Sequence, residues 1–182
     1  MNKILQSIVV VLLFAGCKLG DDNLPDKTQE GKKTFGCYVN GEKFHPNYRS
    51  ASDGLNYYGD KGLSIMVWQY KKSFASDVYL KITIDGYPIE EGKTYRLGAF
   101  SDSLGAYGEF SYYEWQTGSD GIRFGNPIVY RTSEQYFGEL TISKHDPELR
   151  IVSGVFWFDV WTEERAVVKI RDGRFDMQYN MK

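Results

Sequence analysis

The chain has 182 residues, with 22 Lys and Arg against 24 Asp and Glu and a formal net charge of −2, so it lacks the concentrated basic face that a nucleic-acid partner requires. Aromatic residues make up 16% and hydrophobic ones 42% of the chain, which suits one domain with a substantial core. Only two cysteines and two histidines are present, which allows at most a single Cys17–Cys37 bridge, and none if Cys17 is lipidated, and leaves no local spacing of nitrogen or sulfur ligands that would mark a metal site.

Residues 1–16 carry Lys3 and then an apolar run from Ile4 to Ala15. A membrane-spanning helix needs about 20 apolar residues, so this shorter run reads as the hydrophobic region of a cleaved signal peptide. The segment Leu13-Phe14-Ala15-Gly16-Cys17 resembles the lipobox of bacterial lipoproteins, although Phe14 stands where Leu is usual. That resemblance implies lipidation at Cys17 and a membrane partner held through acyl chains, each buried CH₂ contributing about 0.8 kcal/mol. Residues 17–33 are polar, with few large apolar groups, and such composition predicts a flexible tether. Within it, Asp21-Asp22 is similar to the short acidic signal that sends lipoproteins of Bacteroidetes to the outside of the outer membrane. The expected location is the outer membrane facing the exterior, with a periplasm-facing arrangement as the alternative.

From residue 34 to 182 the dominant signal is period-two alternation broken by turn dipeptides, which predicts an all-β domain. Thr34 to Val39 meets Asn40-Gly41, the favoured pair of a two-residue hairpin, and Glu42 to Phe44 returns. Asn47 to Gly62 is rich in Ser, Asp, Asn and Gly and reads as the longest irregular stretch and a functional loop. Asp53, Asn56 and Asp60 offer oxygens there, but their spacing matches no known calcium motif. Further predicted strands run Leu63 to Tyr70, Val78 to Ile84, Thr94 to Leu97, Gly108 to Trp115, Pro127 to Arg131, Gly138 to Ser143 and Leu149 to Trp161. Ala166 to Arg171 and Arg174 to Tyr179 read as two strands joined by a tight Asp172-Gly173 hairpin. The expected architecture is a single antiparallel β-sandwich or partly open barrel of about 8–10 strands.

Three segments, Gly138 to Lys144, Ile151 to Phe158 and Val168 to Asp176, together with the opening Thr34 to Phe44 and Pro46, resemble small β-rich outer-membrane lipoproteins of Bacteroidetes, a family filed as a domain of unknown function. The likeness covers both ends of the domain and implies a fold and a cellular address. It supplies no catalytic residue.

His45 and His145 lie beside Pro and Asp-Pro turns, where exposure is the ordinary outcome, and Cys37 within an apolar run reads as a small buried hydrophobe. Glu109, Glu114 and Asp159 sit inside aromatic strands, where alternation turns them to solvent. No catalytic set and no cofactor is implied. Trp68, Tyr70, Tyr113, Trp115, Trp157 and Trp161 are the candidate ligand-binding residues, because their strands are apolar on both faces. Such strands are either central and covered, or one sheet exposes its rings as a platform for sugar rings or a partner protein. The expected function is that of a non-enzymatic surface module binding a glycan or protein ligand. A structural subunit of an outer-membrane complex comes second, and a glycan-active hydrolase third.

Overall fold

In the computed structural model the described residues are 23–46, 54–70, 77–99, 105–121, 123–164 and 166–181. Cys17 and the segment expected to be a signal peptide lie outside them. Eleven strands run through the described residues: β1 (Thr34–Val39), β2 (Glu42–Phe44), β3 (Gly54–Tyr57), β4 (Gly62–Gln69), β5 (Val78–Asp85), β6 (Thr94–Leu97), β7 (Gly105–Thr117), β8 (Arg123–Arg131), β9 (Gly138–Asp146), β10 (Ile151–Trp161) and β11 (Val167–Met181). No α-helix occurs among the described residues. Alternation sets the faces: Leu80, Ile82 and Ile84 of β5 are buried while Lys81 and Thr83 between them are not. Each such burial contributes about 1.5–3 kcal/mol.

The strands form one sheet in the order β6-β9-β10-β11-β3-β4-β5-β7-β8, with β1 added to β11 and β2 to β1. All pairs are antiparallel except β11 with β3. Strand β11 lies between β10 and β1 along most of its length and beside β3 at its end, from Tyr179 to Met181. It carries the sheet from one layer into the other. The inner faces of both layers meet in a single core that includes Phe35, Cys37 and Phe44 on one side and Ile65, Leu80 and Phe110 on the other. The sheet does not close into a barrel, but its far edges are laced together by Thr132. That buried hydroxyl donates to Gly98 O at 2.6 Å and accepts from Gly108 N at 3.0 Å.

Turn chemistry explains the boundaries. Asn40 and Gly41 both adopt positive φ, 52° and 83°, as the right-handed twist of a two-residue hairpin demands. Gly62 opens β4 at φ 102°, and a Cβ there would lie 2.1 Å from Ile84 O, so only glycine allows β4 to approach β5.

Three expectations are corrected. The Asp172-Gly173 pair is not a hairpin; one continuous β11 passes through it as a bulge, with register shifts against both neighbours between Gly36 and Tyr38 and between Phe156 and Phe158. Within the loop expected from Asn47 to Gly62, Gly54–Tyr57 is a strand because β11 offers it an edge, and Gly59–Lys61 is a 3-10 turn; residues 47–53 lie outside the described residues. The expected tether is also ordered in its second half. Leu24 is buried, Pro25 packs on Gly36, and the segment 28–32 is pinned by Asp176. That carboxylate accepts from Thr28 Oγ1 at 2.6 Å and from the backbone N of Glu30, Gly31 and Lys32 at 3.0, 2.7 and 3.2 Å. Composition misses this strap because its bonds are made by backbone groups to a residue far along the chain.

Candidate functional site

On the outer face of β4, β5 and β7, Trp68 gathers three tyrosines. Residues two apart on a strand share a face, so Trp68 and Tyr70 stand side by side with ring centroids 5.8 Å apart and planes at 11°. Register places Tyr79 opposite Trp68, and its ring lies 4.6 Å away at 42°. Tyr113, from β7, adds a fourth ring at 5.3 Å and 44°. All four are half-buried, each shielding its neighbours while leaving part of itself to water. The patch is curved, since only one pair approaches coplanarity.

Trp157 and Trp161 occupy the outer face of the other layer, across the shared core. Inner positions Phe156, Phe158 and Val160 are buried, which turns Trp157 and Trp161 outward. The Trp157 ring has Phe137 against its edge at 5.6 Å and the Arg171 guanidinium over it at 5.3 Å. Its Nε1 donates to Glu139 Oε2 at 3.3 Å. Arg171 is held in turn by Asp159 at 2.7 Å. Trp161, 42% exposed, stacks on Tyr136 at 5.2 Å and 20°.

The six sequence-predicted residues therefore do not make one platform. Trp68, Tyr70 and Tyr113 come together; Trp157 and Trp161 stand on the opposite layer. Trp115 lies in β7 opposite Gly125, and its side chain is outside the described residues. Tyr79, Tyr136, Phe137, Glu139 and Arg171 complete the two sites and were missed. For Tyr79 the signal was present, since it alternates outward from Leu80; Tyr136 and Phe137 precede β9 in a segment with no period to read.

Glu109 and Asp159 are both held by arginines. Glu109 faces outward by alternation, as expected, yet it is 6% exposed and pairs with Arg131 Nε at 2.9 Å. Solvent exposure was the wrong inference because Arg131, on the adjacent β8, covers it. Asp159 is half-buried against Arg171; the Glu114 side chain is outside the described residues. His45 is exposed, but His145 is not a loop histidine. It ends β9 with its ring 5.2 Å from Tyr57 and 6.1 Å from Tyr179, and burial lowers its pKa against the opposing pull of Glu91 and Asp146. Cys37 is fully buried as expected, and burial pushes its thiol up, away from the reactive thiolate. Among the described residues no three His, Cys, Asp or Glu side chains gather to hold a metal ion.

Several hollows lie among the described residues near these surfaces. One, of about 660 Å³, opens between the layers near Phe44, Tyr112 and Tyr130. Another, of about 490 Å³, is lined by Trp161. A third, of about 400 Å³, is a groove beside Trp157 and the β11 bulge. Compared with known proteins, the chain matches no family profile, no curated protein and no solved structure.

Proposed function

We propose that the chain is an acyl-anchored lipoprotein of the outer membrane, facing the cell exterior, that acts as a non-enzymatic module binding a glycan or protein ligand. The observation that carries this reading is the set of partly exposed rings on the outer faces of both layers. Trp68, Tyr70, Tyr79 and Tyr113 lie on one and Trp157 and Trp161 on the other, at positions the core does not need. Large rings left in contact with water are the usual anchors of recognition surfaces. The pairing of Glu109 with Arg131 and of Asp159 with Arg171 further favours a binding role over acid-base chemistry.

Two experiments test it. Metabolic labelling with a fatty acid should mark the chain, and Cys17→Ala should abolish the label; protease shaving of intact cells should then remove the domain. An unlabelled chain overturns the anchor, and a protected domain overturns outward display. For binding, the chain from residue 18 onward is titrated with soluble polysaccharides and with detergent-solubilised outer-membrane extract while tryptophan emission is followed. A saturable shift that Trp68→Ala or Trp157→Ala weakens about tenfold, at unchanged unfolding temperature, is the expected result. Binding indifferent to both variants overturns the aromatic surfaces as the site.

The tilt of the β4-β5-β7 rings, 42° and 44° about Trp68, favours a second reading in which this face seats a partner subunit of a surface complex. A stoichiometric complex lost with Trp68→Ala, without any glycan response, would support it.

A further inference from the structure

The bulge in β11 interrupts the longest strand near its middle, and both neighbouring strands shift register to accommodate it. Asp172 sits there at φ 53°, a left-handed conformation that residues bearing a side chain adopt at a cost. Bulges recur where a side chain must be re-aimed, and this one turns Asp172 toward the groove beside Trp157.

That groove brings Trp157 together with Glu139, Asp172, Arg171, Arg174 and Lys27, the last supplied by the ordered strap. Its charges balance: Lys27, Arg171 and Arg174 face Glu139 and Asp172, with Asp159 bonded to Arg171. With the Asp159 partner of Arg171 counted, the groove exerts no net long-range pull on a charged ligand. What it offers instead is one indole surrounded by planar carboxylates and guanidinium groups. Each of these can engage two neighbouring polar atoms at once, which is the spacing of vicinal hydroxyls on a sugar ring, while the C–H face of that ring covers the part of the indole that lines the groove beside Arg171.

We propose that this groove is a subsite for a neutral saccharide unit, stacked on Trp157 and hydrogen-bonded by Glu139, Asp172 and Arg174. The inference rests on the ligand-binding reading above and deepens it, naming the ligand class and placing the glycan on the β9-β10-β11 face rather than on the Trp68 face.

The test is isothermal titration of the chain from residue 18 onward with cellohexaose, xylohexaose, maltohexaose and mannohexaose, and with anionic oligogalacturonate. Saturable binding of at least one neutral oligosaccharide is expected. Trp157→Ala should weaken it about tenfold or more and Glu139→Gln several-fold, whereas Trp157→Tyr should retain most of it. Circular dichroism checks that each variant is folded. Tighter binding of oligogalacturonate than of every neutral oligosaccharide overturns the neutral class. Loss of binding with Trp68→Ala but not Trp157→Ala overturns the site while leaving the broader reading standing. No response to any oligosaccharide overturns this inference; the broader reading fails as well only if the membrane extract also gives no ring-dependent binding.

Discussion

Asp176 is 1% exposed and accepts five hydrogen bonds, four from the strap and one from Ser153 Oγ at 2.8 Å. Burial alone would push its carboxyl up, but the bonds from Thr28, Glu30, Ser153 and Gly31 together outweigh it and hold the pKa at about 2. The unfolded value is about 3.9, so the folded state gains stability that is complete above about pH 4 and is lost as the pH falls toward 2. Asp176→Asn should cost about 3 kcal/mol at neutral pH. In urea unfolding between pH 5 and 3, its midpoint should fall less steeply than that of the natural chain. A second buried charge gives an independent case. Arg131→Met leaves the Glu109 carboxylate without its guanidinium and should cost about 3 kcal/mol, while adding Glu109→Met should recover much of the loss in the same denaturation assay. Cys37, buried with a raised pKa, should resist a thiol reagent in the folded chain and react only on unfolding.

At the scale of the element, β11 shows how one dipeptide can carry two meanings. Asp-Gly between alternating runs is a hairpin signal, and residue by residue the expectation was sound. The outcome turned on partners, because β10 and β1 flank β11 on both sides of the bulge and so keep the strand in line. Gly173 is required for a reason unrelated to φ: a Cβ there would lie 2.5 Å from the Phe156 ring. Gly173→Ala should therefore destabilise by about 2 kcal/mol through forced displacement of that ring. Asp172→Ala should cost about 1 kcal/mol for its left-handed backbone, and Asp172→Gly close to nothing. A thermal unfolding series over the three variants checks the order. Strand β3 is the converse case. Gly54–Tyr57 is too short and too polar on either side to announce itself, and it exists because the end of β11 presents a free edge to it.

At the scale of the whole molecule, the strap decides where the domain begins. A chain started at residue 34, the boundary that composition suggests, loses Leu24 from the core and four of the donors to Asp176. Its unfolding temperature should fall about 10 °C below that of a chain started at residue 18, taking about 3 °C per kcal/mol for a domain of this size; equal temperatures would show that the strap contributes nothing. The amino-acid sequence by itself determined the all-β class, most strand positions, the burial of Cys37 and which face of β5 enters the core. These follow from period-two alternation and turn chemistry, which act between near neighbours. Only the tertiary structure decided that the strap is ordered, that Asp172-Gly173 is a bulge, that Glu109 is covered, and that the predicted aromatic residues divide between two opposite faces. Each of those depends on which strands lie side by side, and pairing between residues 22 to 148 positions apart leaves no trace in local pattern.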